Sequence, residues 1–193
     1  GASIAAAREL HPFADFVQAD VLELPVAEGE AHAVFASRLL TYCQDLELSL
    51  TSMVSALKPG GVGLLCDEDA RTMQVLCGVD GVARAAAARA SVIESAVPQP
   101  FAALKARSAL LRRPDVRDVK LEARTVVVFD THRPAGTDEI TVNTDAQLLT
   151  QAVKRGALAE KDAGSYLATI RREVGTPSMI QIATLLQVSF TKA

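Results

Sequence analysis

The sequence has no tryptophan, and aromatic residues make up only 4% of its 193 positions. A base-stacking surface for single-stranded nucleic acid is therefore not expected. Basic charge is not in surplus either: 20 Lys and Arg face 23 Asp and Glu, a formal net charge of −3. Nucleic-acid binders usually carry a basic excess, so no nucleic-acid partner is expected. No apolar run reaches the roughly 18 residues of a spanning helix, which argues against a membrane protein. The three cysteines Cys43, Cys66 and Cys77 are widely spaced without a Cys-x-x-Cys pair. They indicate neither a disulfide framework nor a zinc site, and a reducing cytoplasm is the simplest compartment. His11, His32 and His132 lack a carboxylate or cysteine at ligand spacing, so no metal is expected. The Gly-Ala-Ser start has no charged-then-apolar leader, and no signal peptide is read there.

What remains is the material of an ordinary core, 49% hydrophobic and 22% charged, at the length of a single domain. Ser3 to Leu10 reads as the end of a helix, and 13–18 as a short buried strand. Ala31 to Ser37 is nearly continuous and apolar, as in a parallel strand covered on both faces. Asp45 is the expected cap of a helix whose Leu46, Leu50, Met53, Val54 and Leu57 recur at three- and four-residue steps. Lys58-Pro59-Gly60-Gly61 should stop that helix, and Val62 to Cys66 should form the next strand. Strand, helix, strand at this spacing predicts an α/β fold with a parallel sheet. Residues 70–113 are alanine-rich and helical in pattern, and read as a cap inserted into the single 1–193 domain. Val116 to Phe129 predicts a longer strand, 145–155 and 159–174 two helices, and 179–190 a closing strand.

Three segments in order, Val17–Val26 (VQADVLELPV), Ala33–Glu47 (AVFASRLLTYCQDLE) and Ser55–Asp69 (SALKPGGVGLLCDED), carry a family resemblance. The sequence resembles the class I S-adenosylmethionine-dependent methyltransferases, in the small-molecule branch like those of ubiquinone and menaquinone biosynthesis. The resemblance implies a Rossmann-like three-layer fold and S-adenosylmethionine as methyl donor, with S-adenosylhomocysteine as product. It implies methyl transfer to an oxygen, nitrogen or carbon of a small organic molecule. A methyltransferase-like binding, scaffold or ring-closing protein is the alternative, and a homo-oligomer stays open.

In such a family Asp20 would accept a hydrogen bond from the adenine amino group, and Val21 would offer its backbone amide. Asp20 also suits a plain surface turn. Ser37 and Arg38 would meet the methionine end of the cofactor. Tyr42 falls near the transferring methyl, or packs under the cap. Asp67, at a strand end, is the acid of the 67–69 trio expected to face the substrate pocket. No catalytic base is evident, because Thr41-Tyr42 stands where the family often has His-His. Ala31-His32 likewise replaces a common Phe-Asp pair, and His32 reads as a strand-end residue. No Gly-x-Gly-x-Gly loop occurs in the sequence, and the acid that ends the family's second strand is missing too. The family's sheet order, 3-2-1-4-5-7-6, would place two further strands between 13–18 and 31–37. The expectation is therefore an upstream segment of roughly 50–80 residues, the size of such units, or strands from another chain. Direct pairing of 13–18 with 31–37 is the remaining option.

Overall fold

A computed structural model describes residues 2–76, 82–129, 137–173 and 180–193. Its described strands form one four-stranded sheet in the order β1-β2-β4-β3. These are β1 (Ala31–Ser37), β2 (Leu57–Leu76), β3 (Val116–Phe129) and β4 (Ile180–Lys192). The helices are α1 (Ala2–Leu10), α2 (Leu46–Ala56), α3 (Val82–Ala96), α4 (Ala102–Leu110), α5 (Thr137–Lys154) and α6 (Glu160–Glu173). A single 3-10 turn, Leu40–Tyr42, follows β1.

β1 and β2 are parallel, joined by α2 as the βαβ spacing requires, while β4 runs antiparallel to both β2 and β3. Asp45 caps α2 as expected, its carboxylate accepting the Leu48 amide at 2.9 Å. Leu46, Leu50, Met53, Val54 and Leu57 are all buried. At the other end Lys192 of β4 donates from Nζ to the carbonyls of Leu57 (2.7 Å) and Ser55 (3.2 Å). A cation there satisfies orphan carbonyls and complements the helix dipole.

Two cores result. The first packs α2 and α4 onto one face of the sheet around Leu40, Leu50, Leu65, Ala106, Val188 and Phe190. The second joins α3, α5 and α6 around Val92, Leu149, Tyr166 and Ile170. Within it Asp145 accepts from the Arg89 guanidinium and from Tyr166 Oη at 3.0 Å, a buried charge held by two partners.

Three expectations differ from what is seen. Residues 13–18 form no strand, and Phe13 and Val17 are 86% and 63% exposed. A strand is defined by its neighbour's hydrogen bonds, and among the described residues none pairs with this segment, 31–37 included. The strand expected at Val62–Cys66 extends from Leu57 to Leu76, because β4 offers a partner well beyond the acids at 67–69. Residues 70–76 are accordingly strand rather than helix, and the 70–113 block divides: α4 joins the sheet core and α3 the helical one.

The sheet is covered unequally. Ala36 and Leu65, register partners on one face, are buried. On the other face Phe35, Val62 and Leu64 are 66%, 51% and 36% exposed. β1 lies at the edge of the described sheet, so its outer backbone row has no strand beside it.

Candidate active site

β1 ends where Ser37 pairs with Cys66 in the middle of β2, and the turn that follows β1 lies at the carboxyl edge of this parallel pairing, the edge where open α/β sheets bind ligands. Arg38 leaves β1 with φ +53° and still donates its amide to the Cys66 carbonyl at 2.8 Å, continuing the β1–β2 pairing by one bond. That left-handed residue swings the chain away from the sheet. The turn then closes through Tyr42 N–H to Leu39 O (3.0 Å) and Cys43 N–H to Leu40 O (3.1 Å). Leu40 is driven into the core, 1% exposed, and Tyr42 is left outside at 65%.

A cleft of about 350 Å³ opens beside this turn. Asp20, Val21 and Tyr42 line it together with Leu22, Leu39, Gln44 and Ser49. Its volume falls at the lower end of small-molecule sites, roughly 300–1,000 Å³. Asp20 Oδ1 accepts the Leu22 amide at 2.9 Å, an Asx turn that fixes the side chain. Its second oxygen remains available to an outside donor. Leu22, Leu39 and Val21 supply apolar walls.

The other expected residues lie elsewhere around the turn. Ser37 and Arg38 are not among the cleft-lining residues, and the Arg38 guanidinium is paired with Glu68. Asp67 is 3% exposed and lies beneath the turn. Thr41 Oγ1 donates to its Oδ1 at 3.1 Å. Oδ2 is buried with no partner. Burial pushes the Asp67 carboxyl above its ordinary value, and the adjacent Glu68 adds to this. The bond from the Thr41 side chain opposes it.

In the sequence Thr41 stands out only as a replacement for histidine. The usable signal was a hydroxyl residue on the loop after one parallel strand, with an acid at the end of the next. His32 meets Lys58, ring Nε2 to Nζ at 3.1 Å, at the opposite end of the strands, which agrees with a strand-end role. Cys77 and His132 lie outside the described residues. Among the described residues no group of three or more His, Cys, Asp or Glu could hold a metal ion. No helix among them is long and apolar enough to cross a membrane.

Residues 2–65 match the family model described as a methyltransferase domain. Among solved structures, the YcgJ protein of Bacillus subtilis aligns with 98% of this chain and 76% of its own, at TM-score 0.53 and 10% identity. A candidate methyltransferase from Bacillus halodurans C-125 aligns with 98% and 78%, at TM-score 0.51 and 11% identity. The described sheet is part of a Rossmann-like methyltransferase fold. Its order, β1-β2-β4-β3, corresponds to the 4-5-7-6 half of the order implied by the resemblance. The family match covers about a third of the chain, and these neighbours show the fold. A candidate sarcosine dimethylglycine methyltransferase from Galdieria sulphuraria aligns at TM-score 0.41 and 13% identity. The alignment takes in 97% of this chain, which spans 64% of that protein's length. No curated protein matches the sequence.

Proposed function

We propose that this chain binds S-adenosylmethionine and takes part in methylating an oxygen, nitrogen or carbon atom of a small organic molecule, in a reducing cytoplasm. The observation that carries this reading is the meeting of Asp20, Val21 and Tyr42 in one cleft at the carboxyl edge of a parallel strand pair. The cofactor supplies a methyl group on a positively charged sulfur. For their part, Asp20 Oδ2 would accept from the adenine amino group, and Leu22 and Leu39 would sandwich the ring. Tyr42 would stand at the exposed mouth, screening the approach of water. Orientation and exclusion of water are then the main contributions of the protein. Ser37, Arg38 and Asp67 are assigned to the surround of the site, at its methionine and substrate side.

Thermal unfolding with S-adenosylhomocysteine tests the reading. Ligand at 100 times its dissociation constant adds about 2.7 kcal/mol to the stability of a one-site binder. A rise in melting temperature that saturates with ligand is expected, and an unmoved melting curve at millimolar ligand would overturn the assignment.

One observation favours a second reading, a ligand-binding protein that does not transfer methyl groups. The Arg38 guanidinium is engaged by Glu68, and neither Ser37 nor Arg38 reaches the cleft lining. Binding of S-adenosylhomocysteine without turnover of labelled S-adenosylmethionine across a panel of phenols and amines would select this alternative.

A further inference from the structure

Asp67 is a poor choice for stability alone. One of its oxygens is buried without a donor, and an unpaired buried acceptor loses the hydrogen bonds that water gave it in the unfolded chain. A well-packed apolar side chain would avoid that penalty. What the carboxyl contributes instead is a fixed point beneath the turn. Thr41 Oγ1 donates to it at 3.1 Å. From above, the Thr41 carbonyl accepts the Gln99 amide at 3.1 Å, and Gln99 Nε2 donates to the Gln44 carbonyl at 3.3 Å. The turn is thus clamped between β2 and the segment leading into α4. Four residues of the clamped stretch, Leu39, Tyr42, Cys43 and Gln44, line the cleft.

We infer that Asp67 is a positioning residue that acts on the cleft through Thr41, without touching the ligand itself. The inference rests on the proposed reading of the cleft as a cofactor site. Oδ1 accepts whether or not a proton sits on Oδ2, so the clamp holds in either protonation state. It is the hydroxyl of Thr41, rather than the bulk of its side chain, that transmits the position.

The pair Thr41→Val and Thr41→Ser separates these contributions. Valine matches threonine in shape and removes the donor, whereas serine keeps the donor and loses only a methyl group. Amide hydrogen exchange at 40–44 and calorimetric affinity for S-adenosylhomocysteine are measured on the whole chain. The expected result for Thr41→Val is exchange at 40–44 faster by on the order of tenfold, unchanged exchange in α2 and α4, and affinity weaker by about tenfold. Thr41→Ser should stay within about threefold of wild type on both readouts. If wild type binds and Thr41→Val binds and exchanges like it, the inference is overturned while the cofactor reading stands. If wild type does not bind, the cofactor reading fails and exchange alone decides. Faster exchange then supports the clamp, and unchanged exchange overturns it.

Discussion

At Asp67 the fold carries a carboxyl whose charged form is disfavoured by burial, which gives stability a definite pH signature. A raised pKa means the folded state holds its proton at pH values where the unfolded chain has released it. This contribution is complete below the ordinary value of 3.8 and is lost as pH rises through the raised value. Asp67→Asn removes the titration. The melting temperature of Asp67→Asn relative to wild type should therefore climb as pH is raised from about 4 to 7. A constant difference across that range would show that Asp67 titrates normally. At Asp20 the two oxygens have separable duties. Asp20→Asn keeps an acceptor for the Leu22 amide and presents an NH2 group to the ligand in place of an oxygen. Wild-type melting with affinity for S-adenosylhomocysteine reduced about tenfold to a hundredfold is expected, since a hydrogen bond to a charged group contributes about 1.5–3 kcal/mol. Unchanged affinity by calorimetry would reduce Asp20 to a turn residue.

Among the elements, β2 is held tightly where it crosses β4. A Cβ built on Gly63 would lie 2.1–2.8 Å from ring atoms of Phe190, which is 1% exposed. The ring belongs to the core and has nowhere to withdraw. Gly63→Ala should thus destabilise by about 3 kcal/mol, the upper part of the range for overpacking. Phe190→Leu in the same chain should recover part of that loss. Urea unfolding of the two single variants and the double variant checks this, and strict additivity would refute a Gly63–Phe190 clash. Sequence pattern identified β1, α2 and β3 because each is governed by local rules: a continuous apolar run, a cap with helical periodicity, an alternation. It missed at 13–18, where apolar residues imitate a strand that only a partner could make. It also stopped β2 short at Asp67, since acids suggest a solvated end while the continuation depends on β4, more than a hundred residues away. In the site, Asp20 and Tyr42 came to notice through the family resemblance, and both line the cleft. The Thr41–Asp67 contact was not legible, because it joins the turn after β1 to the interior of β2, which only the parallel pairing of β1 and β2 brings together.

At the scale of the whole chain, an apolar sheet face lies beside the β1 edge among the described residues. β1 contains no Lys, acid or Pro, the residues that ordinarily discourage edge-to-edge pairing, and His32 is its only ionisable side chain. With Phe35, Val62 and Leu64 exposed alongside, the chain should associate as concentration rises. Phe35→Lys should lower the apparent mass measured by light scattering at a given concentration, and an equal mass for both proteins would count against association through this face. The second core lies in the α3, α5 and α6 helices and owes its polar centre to Asp145, bonded by Arg89 and by the Tyr166 hydroxyl. That bond has an optical consequence. With no tryptophan to dominate the emission, fluorescence comes from Tyr42 and Tyr166, one at the rim of the cleft and one sealed in the helical core. A phenol that donates to a carboxylate should emit weakly, so Tyr166 is expected to brighten when the helices part, whereas Tyr42, 65% exposed, should be quenched by iodide and shielded by any ligand that fills the cleft. The molecule therefore carries one native light source in its helical core and one at the cleft rim, which should report opening of the helices and filling of the cleft in the same cuvette without a label.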